Sequence, residues 1–426
     1  MNTEKIEQKQ QSLRVNAERL WDTIMETAKI GGTAKGGICR LTLTDSDRQV
    51  RDWFVRAGES IGSAVTIDEM GNIFVRQPGK DNSLPPIAMG SHLDTQPSGG
   101  KFDGIVGVLS GLEVLRTLND AGYTTKTPLE VINWTNEEGS RFNPPMLASG
   151  VFASVFDRDF AYTREDRDGN KFGEELERIG YRGKTKCGNH KLGAYFELHI
   201  EQGPVLEAEN KTIGVVTGVQ GQRWYDVTVT GRASHAGSTP MNMRQDAIVA
   251  CARMVEAINK IALNHAPLAV STVGLVEVKP NSRNVIPGSV FFSVDLRHPN
   301  DAMLDEMDKE LKVMVNKVAR EMGLKVKLEN IWNSPSMKFD EVGIGIVRAA
   351  AKDLGYRHRD MVSGAGHDAV YIARVAPTAM VFIPCQNGIS HNEIEKTEPE
   401  HVAAGANVLL HAVIAYDKAE PGMGYF

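Results

Sequence analysis

Histidine and carboxylate side chains occur together in five short segments of this chain. The segments are His92-Leu-Asp94, Asp103-Gly104, Glu137-Glu138-Gly139, His199-Ile-Glu201 and Ser390-His391-Asn392. Imidazole nitrogens and carboxylate oxygens together bind divalent zinc, manganese, cobalt or nickel. Two such ions held near one another can activate water and polarise a carbonyl group. The five segments therefore predict a metal centre.

Taken one at a time, the segments have simpler explanations. A histidine that follows a strand is more often a hydrogen-bonded loop residue than a ligand, and a pair of glutamates is usually solvated. Asp103 before Gly104 is typical of a turn or a helix cap. These explanations do not account for all five segments together, because each segment follows a predicted strand or opens a loop.

Four predicted strands and one predicted helix position these segments. Short apolar runs predict strands at Pro86–Ser91, Leu129–Thr135, Tyr195–Ile200 and Ala379–Ile383, and helical spacing predicts a helix from Ile105 to Leu118. Strands that alternate with helices predict an α/β fold, here a mixed sheet with helices on both faces. Ligands bind at the carboxyl ends of strands in such sheets, so distant segments can converge there.

The pattern changes near Thr217, which predicts an inserted domain. A half-buried strand at Trp224–Thr230 precedes a helix (244–262), two strands (270–279 and 289–297), a helix (301–322) and a strand (325–332). This β-α-β-β-α-β order is that of a split βαβ sandwich, an α+β unit that leaves a sheet face or edge free for another subunit. We predict a catalytic domain of residues 1–217 plus 336–426, interrupted by a lid and dimerisation domain at 218–335.

Composition limits the classes of partner. The 426 residues carry a net charge of −6 and contain no apolar run long enough for a membrane span. The acidic balance argues against nucleic acid, which needs a basic face on the protein. Four cysteines without a CxxC pair, and a charged N-terminus without an apolar signal core, favour a reduced, cytoplasmic setting.

Longer motifs around these segments resemble the M20-type amidohydrolases. They are GSHLDTQPSGGKFDG (90–104), WTNEEGSRF (134–142), ELHIEQG (197–203), GRASHAGSTPM (231–241), RNVIPG (283–288), VDLRH (294–298), SGAGHDA (363–369) and ISHNE (389–393). Within that family, HLDTQP followed by GGKFDG is most similar to the N-carbamoyl-L-amino acid hydrolases and β-ureidopropionases. Allantoate amidohydrolases are near relatives.

The resemblance implies a site for two divalent metal ions. His92 and His199 would hold one ion, Glu138 and His391 would hold the other, and Asp103 would bridge the two. Zinc, manganese, cobalt and nickel all suit this set of ligands, and the sequence does not choose among them.

The resemblance also implies catalytic and substrate-binding residues. Glu137 would be the general base, Asp94 would orient His92, and His235 would reach the substrate carbonyl oxygen from the partner subunit. The residues that would hold the substrate are Gln202, Asn284, Arg297, Gly364 and Gly366. Without the resemblance, a surface ion pair is the simpler interpretation of Arg297.

The implied reaction is hydrolysis of the ureido amide of N-carbamoyl-L-amino acids or N-carbamoyl-β-alanine, by a homodimer that pairs through the inserted domain. Allantoate amidohydrolase, a dipeptidase or aminoacylase of the same superfamily, and a metal-loaded binding protein remain alternatives, although Glu137 argues against the last. The resemblance further implies a cis peptide bond between Asp103 and Gly104. Because adjacent strand residues point to opposite faces, we also expect irregular backbone at Glu137 and Glu138.

Overall fold

The computed structural model describes residues 13–419, which form two compact units. The second unit is Gly218–Lys338, and the first comprises the described residues on either side of it. The sequence predicts that the insert ends at residue 335, three residues earlier. The later end arises because Met337 and Lys338 form a short antiparallel strand opposite Val219 and Gly218.

A nine-stranded mixed sheet forms the centre of the first unit, and the last two residues of the insert contribute its short edge strand. Its strands are β1 (Ala64–Ile67), β2 (Ile73–Gln77), β3 (Ile87–His92), β4 (Leu129–Trp134), β5 (Ala194–Ile200), β6 (Ile213–Val219), β14 (Met337–Lys338), β15 (His358–Ser363) and β16 (Thr378–Ile383). Their order is β1-β2-β4-β3-β5-β16-β6-β14, and β15 also pairs with β6. The predicted α/β fold with a mixed sheet is confirmed.

The four central strands, β4, β3, β5 and β16, run parallel to one another. Every residue of these strands is buried, as their nearly continuous apolar sequences require in a covered parallel sheet. Strands β2 and β6 pair antiparallel on either side. The carboxyl ends of four neighbouring strands therefore meet along one edge, where the predicted ligand segments begin.

Twelve α-helices lie within the described part of the chain. They are α1 (Ala17–Thr27), α2 (Asp45–Ser60), α3 (Ile105–Asp120), α4 (Leu147–Phe152), α5 (Arg158–Tyr162), α6 (Phe172–Arg178), α7 (Val205–Ala208), α8 (Ala247–Asn264), α9 (Asp301–Glu321), α10 (Glu341–Asp353), α11 (Asp368–Ile372) and α12 (Pro399–Lys418). Short 3₁₀ turns lie at Met241–Met243 and Gln386–Gly388. Helices α3 and α12 pack on the central strands.

Helix α3 lies very close to the sheet. A Cβ at Gly107 would come within 2.5 Å of the main-chain oxygen of Leu198 and 2.8 Å of the Cβ of Ser91. Glycine is therefore needed at that position for the helix to reach β3 and β5. The close packing fixes the start of α3, and hence Asp103, beside the ends of these strands.

The second unit contains a five-stranded antiparallel sheet and the helices α8 and α9. Its strands are β7 (Gly221–Thr230), β9 (Val270–Thr272), β10 (Val276–Lys279), β12 (Ser289–His298) and β13 (Lys325–Ser334). The predicted β-α-β-β-α-β order is present, but the strand predicted at 270–279 is broken in two around Gly274. Two further short strands, β8 (Ser234–His235) and β11 (Val285–Ile286), pair with each other as a ribbon.

No helix among residues 13–419 has the length and apolar character that a membrane crossing requires.

Candidate metal centre

The predicted ligands follow the carboxyl ends of the four parallel strands. His92 ends β3, and His199 is the next-to-last residue of β5. Glu138 lies four residues beyond β4, and His391 lies in the loop after β16. Asp103 comes just before α3. One edge of one sheet thus brings together residues from positions 92 to 391.

His92, Asp103 and His199 form a buried group, which we call the first donor group. One ligand atom from each lies within 4.8 Å of the others. Nε2 of His199 is 3.1 Å from Oδ1 of Asp103, and Nε2 of His92 is 3.9 Å from the same oxygen. Two imidazoles and a carboxylate oxygen at this spacing suit a zinc-like divalent cation.

Hydrogen bonds fix the tautomers of both histidines in this group. Nδ1 of His92 is 2.9 Å from the main-chain oxygen of Asp94, and Nδ1 of His199 is 2.9 Å from that of Ile200. A carbonyl can only accept, so each Nδ1 carries a proton and Nε2 is the nitrogen of each ring that can offer a cation a lone pair. This arrangement is typical of metal-binding histidines.

Asp103, Glu138 and His391 form the second donor group. Their ligand atoms also lie within 4.8 Å of one another, with Nε2 of His391 3.3 Å from Oδ2 of Asp103 and 3.6 Å from Oε2 of Glu138. Both oxygens of Glu138 accept hydrogen bonds from Gln96, one from its main-chain N–H (3.0 Å) and one from its amide (2.7 Å). Because Asp103 belongs to both groups, it has the position expected of a bridging ligand.

The backbone after β4 leaves strand geometry, as the adjacent glutamates require. Asn136 has a φ of 62° and Gly139 a φ of 63°, which turns the chain so that both glutamates face the site. The carboxylate of Asp94 accepts the N–H groups of Glu137 and Glu138, each at 3.3 Å. Asp94 therefore orients the two glutamates with its side chain.

Asp94 holds the ring of His92 through its main chain and not, as predicted, through its carboxylate. The ring is held by the main-chain carbonyl of Asp94, and the carboxylate lies 3.8 Å from Nδ1.

Glu137 is only 8% exposed, and its Oε2 is 3.4 Å from Nε2 of His92. It belongs to neither donor group.

The site concentrates buried negative charge. Burial, then the charges of Asp368 and Glu138, raises the pKa of Glu137 well above its usual value. Burial would raise the pKa of Asp103 as well, but hydrogen bonds with His199 and His391 outweigh it and hold that pKa well below the usual range. Buried carboxylates are costly unless positive charge compensates them, and divalent cations fit that requirement.

The peptide bond between Asp103 and Gly104 is trans, which corrects the expectation of a cis bond. Within residues 13–419 the cis bonds precede prolines, at Asn143–Pro144, Ala266–Pro267 and Lys279–Pro280. Gly104 instead turns the chain through a φ of 69°, a conformation that favours glycine. A Cβ at Gly104 would overlap the ring of His92.

The predicted substrate residues of the first unit lie beside this centre. The amide of Gln202 donates to Oδ2 of Asp103 at 3.0 Å. Gly364 and Gly366 flank a turn between β15 and α11. His367, which follows this turn, packs its ring on that of His199 with 4.5 Å between centroids. The glycine turn therefore adjoins the first donor group.

The other three predicted residues lie in the second unit. His235 and Asn284 are both exposed and come together on the β8–β11 ribbon, where the N–H of Ala236 donates to the carbonyl of Asn284. Arg297 lies on β12, and its guanidinium pairs with the carboxylate of Asp295, with Nη2 and Oδ2 2.7 Å apart. Arg297 therefore forms an ion pair in the structure, and its role in binding substrate stays a prediction.

Sequence reasoning missed two residues that contact the ligands. Gln96 holds Glu138, and Glu395 accepts the main-chain N–H of Asp103. Gln96 lies within the HLDTQP motif, which is the one signal available for it. Glu395 follows Glu393 in the run HNEIE, and no pattern there indicates which of the two glutamates faces inward.

Comparison with known proteins identifies the family. The chain matches the model of peptidase family M20/M25/M40 over residues 88–415 and belongs to that family. It is 52% identical to an N-carbamoyl-L-amino-acid amidohydrolase of Rhizobium meliloti over 401 residues, which cover 94% of this chain and 96% of the relative. It is 32% identical to the allantoate amidohydrolase of Bacillus subtilis over 392 residues, which cover 91% and 95%.

A solved structure supports the same assignment. A crystal structure of an amidase of the hydantoinase/carbamoylase family from Burkholderia multivorans is 56% identical and superposes with a TM-score of 0.93. The match covers 95% of this chain and 98% of that one. The predicted family and fold are therefore confirmed.

Proposed function

We propose that this protein hydrolyses the carbamoyl amide of N-carbamoyl-L-amino acids to the amino acid, carbon dioxide and ammonia. The observation that carries the proposal is the pair of donor groups that share Asp103, with Glu137 beside them and outside both. The substrate class is supported by the 52% identical relative, whose name states that activity. Allantoate is less favoured, because the relative with that name is 32% identical.

The two donor groups would each hold one divalent cation. The first would use His92, His199 and Oδ1 of Asp103, and the second would use Oδ2 of Asp103, Glu138 and His391. Zinc, manganese, cobalt and nickel suit these donors. When bound, such ions polarise the ureido carbonyl and make water a better nucleophile near neutral pH.

Glu137 would accept a proton from the attacking water and deliver it to the leaving nitrogen. Its raised pKa makes the carboxylate a stronger base than an exposed glutamate. The hydrogen bond from its N–H to Asp94 fixes the backbone that carries it. Water adds to the ureido carbon, and the bond from that carbon to the amino-acid nitrogen then breaks as the nitrogen takes the proton, so one base serves both steps. The carbamic acid that is released decomposes to carbon dioxide and ammonia.

Residues of the second unit would complete substrate recognition. His235 would donate to the carbonyl oxygen as negative charge develops there, and Arg297 would bind the substrate carboxylate through its two-pronged guanidinium. Asn284, next to His235 on the ribbon, would hold the amide, together with Gln202 and the turn at Gly364–Gly366. We also propose that the protein is a homodimer that pairs through the inserted unit, with His235 acting in the partner's site.

A substrate panel tests the proposal. Ammonia release is measured from N-carbamoyl-L-alanine, N-carbamoyl-D-alanine, N-carbamoyl-β-alanine and allantoate, before and after removal of metal by a chelator. We expect the L-α substrate to have the highest kcat/KM, with activity lost on chelation and restored by added metal. Preference for allantoate or for the β-amino acid derivative contradicts the proposed substrate. Activity that survives complete metal removal contradicts the proposed chemistry.

A further inference from the structure

The carboxylate of Glu395 lies behind the bridging Asp103 and takes no part in the proposed reaction. Glu395 is 5% exposed. Its Oε1 accepts hydrogen bonds from the main-chain N–H groups of Phe102 (3.0 Å) and Asp103 (3.1 Å). The chain leaves room for it at Gly100, where an added Cβ would overlap Oε1. Burying a carboxylate is costly unless its oxygens are hydrogen-bonded, so the position of Glu395 needs a specific explanation.

The second oxygen of Glu395 faces a hydroxyl that also contacts Asp103. Oγ of Ser390 is 2.8 Å from Oε2 of Glu395 and 3.0 Å from Oδ2 of Asp103. The amide nitrogen of Gln202 lies 3.0 Å from the same Oδ2 and 3.3 Å from Oγ of Ser390. A hydroxyl has one proton, so Ser390 donates either to Glu395 or to Asp103.

We infer that Glu395 is a positioning residue that draws the proton of Ser390 away from the bridging carboxylate. The inference rests on the proposed metal site, in which Oδ2 of Asp103 must offer a lone pair to the cation of the second donor group. When Ser390 donates to Glu395, its oxygen accepts one N–H of Gln202 and Asp103 receives the other. The hydroxyl hydrogen of Ser390 and both amide hydrogens of Gln202 then each have an acceptor, and Oδ2 of Asp103 keeps a lone pair for the cation.

A Glu395→Gln variant separates this role from a purely structural one. The new amide oxygen can still accept the N–H groups of Phe102 and Asp103, because the opposite orientation would set an NH₂ group against two other donors. The amide nitrogen then donates to Ser390, and the hydroxyl proton must turn towards Oδ2 of Asp103. The loop contacts are kept, while the bridging oxygen acquires a competing hydrogen bond.

The experiment is a cobalt(II) titration of the full-length, chelator-treated protein. Visible absorption reports the ligand environment of cobalt, and competition with a chelator gives the dissociation constants. For Glu395→Gln we expect one of the two cobalt sites to bind about 10–100-fold more weakly, with an unchanged circular dichroism spectrum. Glu393→Gln is the matched control and should bind as wild type, because Glu393 instead accepts a hydrogen bond from Thr33 at 2.6 Å.

Removal of the hydroxyl gives the decisive comparison. In Ser390→Ala/Glu395→Gln no hydroxyl proton remains to compete with the cation for Oδ2 of Asp103, so the double variant should regain most of the lost cobalt affinity. A double variant that binds no more tightly than Glu395→Gln overturns the inference, as does a Glu395→Gln variant with wild-type affinity. These outcomes leave the metal site itself intact. If wild-type protein binds no cobalt, the proposed metal site fails and the inference fails with it.

Discussion

In the first unit the ligand side chains of His92, Asp103 and His199 are buried, and hydrogen bonds to carbonyls hold both histidines before any substrate arrives. In the second unit the predicted functional residues His235 and Asn284 are exposed on a two-stranded ribbon. The difference separates two tasks. A preorganised buried site suits the steps that develop charge, whereas exposed residues gain defined positions when substrate or a partner subunit binds.

The largest expected effect lies at the base in the buried site. Glu137→Gln removes the proton acceptor but keeps the size of the side chain, so kcat should fall roughly 10²–10⁴-fold while both metal ions are retained. Ammonia release and elemental analysis measure the two quantities on the same sample. The matched change Glu138→Gln should instead lower the metal content. If the two variants behave the other way round, the roles of these glutamates are exchanged.

The next effect tests the exposed region. His235→Ala should lower kcat by about 10²–10³-fold, the loss seen when a donor to a developing oxyanion is removed, with the metal content unchanged. Because we propose that His235 acts across a dimer, mixing His235→Ala subunits with Glu137→Gln subunits should restore activity. Each mixed dimer then has one intact site out of two, so it should reach about half of wild-type activity.

The mixing experiment can be interpreted only if the two kinds of subunit are shown to exchange and form mixed dimers. Subunits with different affinity tags allow the mixed dimer to be isolated and assayed by itself. A mixed dimer without activity would place His235 in the site of its own subunit or outside the reaction. A protein that stays monomeric would contradict the proposed assembly.

The metal affinity of the first donor group should depend on pH through His199 and not through His92. Burial lowers the pKa of His92 to about 4, so that ring is already neutral at pH 7. Burial would lower the pKa of His199 as well, but its hydrogen bond with Asp103 raises it to about 9. Below about pH 9 a proton therefore competes with the cation at His199, and affinity should fall roughly tenfold per pH unit.

Competition with a chelator between pH 6 and 9 measures this slope. The N–H of Gly104 points at the same Nε2 of His199, at 3.1 Å, and favours the unprotonated ring. If affinity stays flat down to about pH 5, that contact outweighs the attraction of Asp103, and His199 is neutral throughout. Proton release on metal binding, measured by calorimetry in two buffers, distinguishes the two cases at a single pH.

The sequence predicted the positions of the buried strands well because their apolar runs are short and bounded by polar segments. Strand β3, predicted at Pro86–Ser91, lies at Ile87–His92, and the residues at its end follow from the topology of parallel strands. The broken strand around Gly274 was missed, since alternation alone does not reveal a break. The apolar runs thus predict where each strand ends, and the ligand segments begin at those ends.

The supporting contacts were beyond sequence reasoning because they join residues far apart in the chain. Glu395 bonds Phe102 and Asp103 across about 290 positions, and the carboxylate of Asp94 reaches Glu137 and Glu138 instead of His92. Such pairs depend on how two loops meet, which no local pattern encodes.

The smallest expected effect concerns Arg297, where the two interpretations of one residue can be separated. Its guanidinium is held by Asp295 through Nε and Nη2, and a substrate carboxylate would use the same fork-shaped set of donors. If Arg297 anchors substrate, Arg297→Lys should raise KM about tenfold with little change in kcat, because lysine cannot form the two-pronged contact. Asp295→Asn should then lower KM a few-fold, since a weaker competitor occupies the guanidinium. If both variants keep the KM of wild type and change only the melting temperature, Arg297 is a structural ion pair and another residue binds the carboxylate.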